Sequence, residues 1–278
     1  MKPMRQIGLV SYAECPELTD DDRLLIPAFA RRGVRAVPVV WDADVDWLHF
    51  DHVVIRSCWD YHLRAAEFLE WIEHLERLGI KLSNSARLIR WNADKTYLKE
   101  LNRRGVRIPP THWIAEHEER DVAPILRTMG WPSAVAKPIV SASAHGLKRV
   151  FVDQPTSISG PAMLQPFLPE IPNSGEWSLV FIGGQYSHSV LKRAAPGDFR
   201  VQSQYGGEAN TASPVPSMLQ TAEKIIASLA EPPDYARVDG IQCADEFVLM
   251  ELELIEPVLF LKLGSAADRF VEAILNSI

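Results

Sequence analysis

From Tyr235 to Pro257 the chain reads YARVDGIQCADEFVLMELELIEP, a stretch in which acidic residues interrupt an apolar pattern. Its alternation is that of β-strands, whose successive side chains point to opposite faces. The polar segment Cys243 to Glu246 lies midway and is typical of a hairpin connection. The stretch therefore predicts two antiparallel strands, and the runs FVLM and LIEPVLFL indicate burial on both sides.

A hairpin centred near Asp245 carries its charged side chains on one face. In that register Asp239 lies opposite Glu251, and Arg237 lies opposite Glu253. Like charges directly opposite one another destabilise a sheet, and charges between apolar strands are costly unless they are paired or bound to a metal. We therefore predict that the three carboxylates hold a hard divalent cation through oxygen ligands. The alternative is a half-exposed hairpin whose polar face is acidic.

Length and composition set the class of protein. A chain of 278 residues with 47% hydrophobic content can bury a full core and form two or three lobes. A net charge of -7 argues against a nucleic-acid partner, because phosphate binding needs basic surface. No apolar run approaches the roughly 20 residues of a membrane span, and the N-terminus lacks a signal-peptide pattern, so no membrane partner is expected. The sequence leaves the formation of a homo-oligomer open.

The cysteines predict the compartment. Cys15, Cys58 and Cys243 are odd in number, widely separated and without metal-ligand spacing. They are typical of reduced thiols inside the cell. We therefore expect a cytoplasmic protein.

Strand-like and helix-like segments alternate through the first 88 residues. This alternation predicts a small α/β lobe with a parallel sheet. One helix is expected to run from about Asp20, with Thr19 as N-cap and Gly33 as C-cap. The other predicted elements are strands at 5–12, 34–41, 52–57 and 81–83 and a helix at 64–78.

A polar and aromatic segment, RSCWDYH, follows the third of these strands. Ligands of a parallel sheet bind beyond the carboxyl ends of its strands. We therefore predict a substrate pocket contributed by Arg56, Ser57, Trp59, Asp60 and Tyr61. The alternative, with equal weight, is a loop whose two aromatic rings pack on the next helix.

Two lysines occupy positions that suggest an anionic ligand. Lys95 falls in the first turn of a helix predicted from Ala93 to Arg104 with Asn92 as cap, where the helix dipole disfavours a cation. A bound phosphate or solvent exposure would each remove that objection. Lys137 ends an apolar strand and is followed by the small-residue loop IVSASAHG, whose backbone could cradle phosphate oxygens.

Further cations lie beside glycine-rich turns in the third region of the chain. Lys192, Arg193 and Arg200 fall within nine residues of one another. They predict recognition of an anion, and a solvated basic face is the alternative.

Taken in chain order from about Asn92 to Pro257, these features resemble the ATP-grasp superfamily. The pattern is most similar to the branch of bacterial glutathione synthetase and the ribosomal-protein glutamate ligases. The segments RSCWDYH and GDFRVQ also resemble the ATP-grasp enzymes of the cycloserine-biosynthesis type. The resemblance implies an α/β ATP-grasp fold, in which a parallel α/β pre-ATP-grasp domain (1–88) precedes two α+β lobes (89–160 and 161–278) that clasp ATP.

The resemblance also implies roles for individual residues, with ATP and two Mg²⁺ ions, replaceable by Mn²⁺, as cofactors. Residues matching the ATP contacts are Lys95 and Lys137 for the phosphates, Ser141, Ser143, His145 and Gly146 in the covering loop, Gln165, Phe167 and Leu168 around adenine, and Glu176 at the ribose. Residues matching the magnesium ligands are Asp239, Glu251 and Glu253. Residues matching the catalytic cations, which meet the transferred phosphate or the acyl substrate, are Arg193, Arg200 and Arg237.

The implied activity is that of an ATP-dependent ligase. Its partners would be a small-molecule carboxylate of amino-acid-like character, activated as an acylphosphate, and an amine or similar nucleophile. A kinase that phosphorylates a hydroxyl and a non-catalytic nucleotide-binding protein are the alternatives. Two departures from the family pattern leave the substrates undetermined: Glu253 stands where asparagine is usual, and Ser178 stands where the glutathione synthetases have arginine.

Overall fold

A computed structural model describes residues 5–116, 119–142 and 144–277. Its first lobe contains a four-stranded parallel sheet in the order β2-β1-β3-β4. The α/β prediction for this lobe is therefore confirmed. The elements are β1 (Gln6–Ser11), α1 (Leu25–Ala30), β2 (Arg35–Val40), β3 (His52–Ile55), α2 (Ala65–Arg77) and β4 (Lys81–Ser83).

The helix expected from Asp20 begins later than the sequence predicts. A single 3-10 turn, Asp22–Leu24, precedes α1. The Thr19 hydroxyl accepts the backbone N–H of Asp22 at 3.1 Å, so it caps this turn rather than a longer helix. Gly33 has a φ of +71°, the left-handed conformation that ends a helix without steric cost to glycine.

Two short helices, not one, link the first lobe to the second. They are α3 (Ala86–Asn92), capped by the Ser85 hydroxyl, and α4 (Tyr97–Arg103). Asn92 is therefore the last residue of a helix and not a cap, and Lys95 lies between the helices rather than in a first turn. Lys95 is 8% exposed, which excludes the solvent-exposed alternative for this lysine.

The second lobe is built on an antiparallel sheet in the order β5-β10-β7-β8. The boundary predicted after residue 160 falls within this lobe, because β10 pairs with both β5 and β7. A two-stranded ribbon and one helix complete it. The elements are β5 (His112–Ile114), β6 (Glu119–Asp121), α5 (Ala123–Met129), β7 (Ser133–Pro138), β8 (Lys148–Phe151), β9 (Ser157–Ser159) and β10 (Ala162–Pro166).

The third lobe is a five-stranded antiparallel sheet in the order β13-β12-β11-β14-β15. It confirms the hairpin predicted from Tyr235 onward. None of the described helices is long and apolar enough to cross a membrane. The elements are α6 (Glu170–Ser174), β11 (Glu176–Ile182), β12 (Gln185–Arg193), β13 (Glu208–Thr211), α7 (Pro216–Ala227), β14 (Tyr235–Cys243), β15 (Glu246–Glu253) and α8 (Ala266–Asn276).

A β-bulge decides which side chains of the β14–β15 hairpin share a face. Next to the turn the strands pair in a register that, if continued, would set Asp239 opposite Met250. A register shift directly after Asp239 adds one residue to β15, so that Asp239 pairs with Glu251 and Arg237 with Glu253. The predicted pairing is confirmed, and the bulge produces it, since a one-residue slip moves every side chain to the other face.

Arg56 ties the first lobe to the third. It is 1% exposed. Its Nε donates to Asp22 Oδ1 at 2.9 Å, and its Nη2 donates to the carbonyl oxygen of Pro257 at 2.8 Å. The guanidinium lies 5.1 Å from the ring centroid of Tyr235 and 5.4 Å from that of Phe270. Arg56 is thus a buried structural cation rather than a contact for substrate.

Replacing Arg56 should cost far more stability than replacing an exposed arginine. Arg56→Met leaves Asp22 buried without its charge partner, so we expect a loss of about 3–5 kcal/mol in the free energy of unfolding. The control, Arg90→Met, breaks an exposed pair with Glu76 and should cost less than about 1 kcal/mol. Urea unfolding of both variants measures the difference. Equal losses would show that the Arg56 contact does not join the lobes.

Candidate active site

A cavity of about 300 Å³ lies where the three lobes meet. Every lobe contributes residues to it, and the connection between the first two lobes contributes Lys95. Its lining includes Trp59 and Tyr61 from the first lobe, Lys137 and Gln165 from the second, and Lys192, Arg237, Asp239, Glu251 and Glu253 from the third.

Lys137 extends from the end of β7 into the cavity. Its Nζ donates to Gln165 Oε1 at 3.0 Å, and Gln165 in turn donates to the Thr111 hydroxyl at 3.1 Å. Burial lowers the pKa of Lys137, although the charges of Glu251 and Glu176 act in the opposite direction. A cation held in this way by a neutral amide retains its capacity to bind an anion.

Lys95 joins the covering loop to the acidic hairpin. Its Nζ lies 2.8 Å from Glu251 Oε1 and donates to the carbonyl oxygen of Ser141 at 2.7 Å. Desolvation opposes the charges of both groups, but their attraction raises the pKa of Lys95 and lowers that of Glu251. Lys95 therefore stays charged at the point where loop, linker and hairpin meet.

Asp239 is the centre of a buried ionic cluster. The carboxylate, 2% exposed, lies 3.0 Å from Lys192 Nζ and accepts from Nε and Nη2 of Arg237 at 2.9 Å each. It also accepts the Ser178 hydroxyl at 2.6 Å, and Lys192 contacts Glu176 at 2.6 Å. Although burial opposes ionisation, Arg237 and Lys192 hold the pKa of Asp239 well below its usual range.

Glu253 and Glu256 are the cavity carboxyl groups whose ionisation is disfavoured by their surroundings. Desolvation and the neighbouring carboxylates raise the pKa of Glu253 to about 8 and that of Glu256 to about 7, although Arg237 pairs with Glu253. Across the described residues no three His, Cys, Asp or Glu side chains converge closely enough to hold a metal ion. The hairpin carboxylates are instead paired with cations of the protein: Lys95 with Glu251, and Arg237 with Asp239 and Glu253.

Part of the small-residue loop after Lys137 lines the cavity, as expected, and part of it does not. Ser141 and His145 line the cavity, whereas Gly146 does not and lies against Pro138. The His145 ring lies 4.9 Å from that of His62. Ser143, which the sequence also assigns to this loop, lies outside the described residues.

The segment assigned to adenine forms an aromatic wall. Gln165, Phe167 and Leu168 all line the cavity. The guanidinium of Arg149 covers the Phe167 ring at 3.5 Å from its centroid, and the Phe199 ring meets it edge-on at 6.0 Å. Such a wall offers a flat apolar surface to a planar base.

Several predicted site residues lie away from the cavity. Arg56 and Ser57 are buried on Asp22. Asp60 accepts from Trp41 Nε1 at 2.9 Å and pairs with Arg64. Of the predicted substrate residues, Trp59 and Tyr61 alone line the cavity.

Arg193 also lies outside the cavity, and a second bulge explains why. Around the Gly183-Gly184 turn the β11–β12 hairpin starts in a register that would set Glu176 opposite Leu191 and turn Arg193 to the cavity face. A register shift after Val180 pairs Glu176 with Lys192 instead. Arg193 is exposed as a result, and Lys192 takes the position in the cavity.

Arg200 does line the cavity, in a self-contained loop. Its Nη2 donates to Asp198 Oδ2 at 2.7 Å, which forms an ion pair. Its guanidinium lies 3.6 Å from the Tyr205 ring centroid. Hydrogen bonds from Arg200 lower the pKa of Asp198. Arg200 is therefore held in position at the cavity, with its charge balanced by Asp198.

Two cavity residues were missed by reasoning from the sequence. Lys192 was recognised as a cation but not as the one facing the site, because its face depends on the bulge. Glu256 follows the hairpin directly and lines the cavity beside Trp59. The sequence does mark Glu256, as a third carboxylate three residues after Glu253 in an apolar run.

Comparison with known proteins agrees with this architecture. Residues 7–84 match the family model for the N-terminal domain of D-cycloserine synthetase DcsG. The cycloserine biosynthesis protein DcsG of Streptomyces lavendulae is 29% identical, over 96% of this chain and 97% of that protein. A crystal structure of D-cycloserine synthetase DcsG superposes with a TM-score of 0.84 and 26% identity, over 98% of this chain and 99% of that one.

More distant structures share the fold. The D-alanine–D-alanine ligase of Bacillus anthracis superposes with a TM-score of 0.68 at 16% identity, over 98% of this chain and 96% of that one. A RimK-domain ATP-grasp protein of Sphaerobacter thermophilus superposes with a TM-score of 0.69 at 20% identity, over 97% and 99% of the two chains.

The three-lobed fold and these similarities define the class: the chain is an enzyme with the ATP-grasp fold, which it shares with known ligases. Within that superfamily it is similar along almost its whole length to D-cycloserine synthetase. The predicted fold and the predicted resemblance are both confirmed.

Lys137 provides the sharpest test of the phosphate side of the cavity. Lys137→Met keeps the apolar stem and removes the charge, so the fold should persist while ATP affinity falls by roughly 10- to 100-fold, the range for hydrogen bonds to charged groups. Lys148→Met, on the exposed next strand, is the matched control and should bind ATP as the parent does. Calorimetric titration with ATP measures both. Unchanged affinity in Lys137→Met would place the phosphates elsewhere.

Proposed function

We propose that the cavity binds Mg·ATP and joins a small-molecule carboxylate to an amine, with release of ADP and phosphate. The observation that carries the proposal is the convergence of Lys95, Lys137 and Lys192, from three separate segments, on the acidic hairpin. A triphosphate needs several cations at once, and carboxylates beside them suit the metal ion that accompanies it. In this proposal the first lobe would bind the substrates, the second would close its loop over the phosphates, and the third would hold the metal through its acidic hairpin.

Lys137 is assigned to the phosphates because it has no carboxylate partner in the described chain. Lys95 is assigned there as well, since it reaches the backbone of the covering loop at Ser141. The aromatic wall around Phe167 is assigned to adenine. Glu176 is assigned to the ribose, and Lys192, which contacts it at 2.6 Å, fixes its carboxylate.

The hairpin carboxylates fit a magnesium site by their chemistry. The donors are all oxygen, which Mg²⁺ prefers. Burial, and after it the neighbouring carboxylates, raise the pKa of Glu253, so a cation at this position would favour its charged form. Glu251 and Glu253 would hold the metal, which would neutralise phosphate charge during transfer. Asp239, saturated by Arg237, Lys192 and Ser178, would act by orienting these partners. Two ions, and replacement by Mn²⁺, remain part of this proposal.

The proposed reaction has two steps. A carboxylate oxygen of the substrate attacks the γ-phosphorus of ATP, and the bond to the β–γ bridging oxygen breaks to release ADP. The amine nitrogen then attacks the acyl carbon, inorganic phosphate leaves, and the nitrogen loses a proton. Arg237 and Arg200, which line the cavity, would stabilise negative charge on the transferring group, so that positioning and electrostatics would carry most of the rate enhancement.

The substrates are assigned to the side of the cavity lined by Trp59 and Tyr61. These residues belong to the first lobe and line the same cavity as the aromatic wall assigned to adenine. A cavity of about 300 Å³ that must also hold part of ATP leaves room for small molecules. A cytoplasmic location remains a prediction from the cysteines.

Changing Glu251 separates a metal site from an acidic face. Glu251→Gln keeps the shape but removes one charge, so stabilisation by ATP should lose its dependence on magnesium, and ADP release should fall by about 100-fold or more, because metal ions contribute several kcal/mol to transition states. Glu246→Gln lies on the same strand, exposed and paired with Arg107, and serves as the charge-matched control. Thermal melts with ATP, with and without Mg²⁺, and an ADP assay measure the effects. A Glu251→Gln protein with full turnover would refute the assignment.

A further inference from the structure

The loop that covers the cavity, residues 139–146, also packs on the first lobe. Val140 and Ala142 belong to the apolar cluster that contains Tyr61 and Phe68 of the first lobe. Ala142 is 8% exposed and is thus a buried part of that cluster. The loop therefore joins the second lobe, whose strands β7 and β8 carry it, to the first lobe.

Lys95 holds the first half of this loop. Its backbone N–H donates to the carbonyl oxygen of Ile139 at 2.9 Å, and its Nζ donates to that of Ser141 at 2.7 Å. These two hydrogen bonds fix the loop to the linker between α3 and α4. They do not reach residues 144–146, whose position needs other contacts.

The second half of the loop meets the first lobe through two histidine rings. The His145 ring centroid lies 4.9 Å from that of His62, with an angle of 50° between the ring planes. His62 belongs to the 3-10 turn Tyr61–Arg64, which precedes α2. Two planar rings at this separation and tilt make a favourable contact. His62 is thus the first-lobe partner of the histidine in the loop.

Ala144, directly before His145, indicates that this half of the loop has to be held. Its φ is +59°, in the left-handed region that a residue with a Cβ disfavours. A residue persists in that region where the surrounding contacts fix it there. The contact of His145 with His62 is such a constraint, so its loss should release the loop.

The segment that carries His62 also contributes to the cavity. Tyr61, the residue before it, lines the cavity, and the Tyr61 ring meets the His62 ring edge-on at 6.2 Å. Trp59 lines the cavity from the same segment. One short segment of the first lobe therefore contacts both the cavity and the loop that covers it.

We propose that His62 is a positioning residue of the enzyme, which holds the covering loop closed against the first lobe by its contact with His145. The inference rests on the proposed function, in which this loop covers the phosphates of ATP. It adds that closure over the phosphates depends on the segment that carries Trp59 and Tyr61. His62 does not line the cavity itself and acts through His145, which does.

A transition-metal site is the competing role for two adjacent histidines, because imidazole nitrogens are common ligands of such ions. Within the part of the chain that the structure describes, no group of three His, Cys, Asp or Glu side chains could hold a metal ion. The contact between the two rings is therefore the role that this pair fits.

Protonation of His62 should weaken the contact. The titratable groups that face it are His145 from the loop, Lys95 from the linker, and Asp60 and Tyr61 from its own segment. Burial lowers the pKa of His62, and His145 and Lys95 act in the same direction, whereas a backbone hydrogen bond and Asp60 oppose them. Docking therefore favours neutral His62, so the loop should be released as the pH falls below the ordinary imidazole pKa of about 6.5.

Hydrogen–deuterium exchange of the loop measures docking directly and needs no substrate. His62→Ala should raise exchange of the peptide that spans 139–146 by roughly 3- to 10-fold, the effect of one aromatic contact. His62→Phe keeps a ring and should restore the parent exchange. His74→Ala replaces an exposed histidine on α2 and is the matched control, which should behave as the parent does. Unchanged exchange of β11, in the third lobe, reports that each variant keeps the fold.

A double-mutant cycle tests whether His62 acts through His145. Loop exchange should rise in His145→Ala, and adding His62→Ala should have no further effect. Lowering the pH from about 7.5 to about 5.5 should release the loop of the parent, after correction for the intrinsic exchange rate. His62→Phe should keep its loop protected in acid, since a protonated His145 is attracted to the face of a phenyl ring.

The outcomes separate this inference from the proposed ligase function. The inference is overturned if His62→Ala leaves loop exchange unchanged, if its effect persists in His145→Ala, if His62→Phe loosens the loop as His62→Ala does, or if acid leaves the parent loop protected. In the parent, Mg²⁺ with a non-hydrolysable ATP analogue should protect the loop further. Loosening by His62→Ala without any protection by that analogue would support the role of His62 and count against the proposed function alone.

Discussion

The rest of the site depends on the neutralisation of Asp239 inside the third sheet. A carboxylate that is 2% exposed can remain ionised only if cations and hydrogen-bond donors replace the water it has lost. Arg237, Lys192 and Ser178 supply them, each from a neighbouring position in the same sheet. Because Arg237 also reaches Glu253, and Lys192 also reaches Glu176, one buried acid fixes the orientation of the groups around it. The orientation of these charged side chains therefore depends on Asp239.

Reasoning from the sequence identified the architecture and the charged hairpin because both depend on patterns that persist over many residues. Strand and helix alternate through the first lobe, and polar and apolar residues alternate through Tyr235 to Glu253. The sequence is a weaker guide to which side chains of a strand face the cavity, because a β-bulge of a single residue changes that face. The bulge after Asp239 happens to give the register expected for a hairpin centred on Asp245. The bulge after Val180 turns Lys192 inward and Arg193 outward, and neither composition nor spacing marks its position.

Tertiary contacts explain the other differences between sequence and structure. The segment around Lys95 has the composition of one helix, yet it is interrupted, because the Lys95 side chain and backbone are held by Glu251, Ser141 and Ile139 from distant parts of the chain. Arg56 follows a parallel strand, which is where ligand contacts are expected, but Asp22 and Pro257 satisfy it first. A polar residue at the end of a strand can serve a neighbouring lobe as readily as a ligand. Its role is decided by partners that are remote in sequence.

The contacts of Tyr235 and Asn84 fix the first lobe against the third. The Tyr235 hydroxyl lies within hydrogen-bond distance of carbonyl oxygens of Ile55, Ser83 and Ile255, and the Asn84 amide donates to those of Tyr235 and Leu254 at 2.8 Å. With α8 packed on α1, these contacts join the first and third lobes into one body. Relative motion of those two lobes would break these buried hydrogen bonds. The residues that the first and third lobes contribute to the cavity, among them Trp59 from the first and Arg237 from the third, are therefore held at a fixed separation.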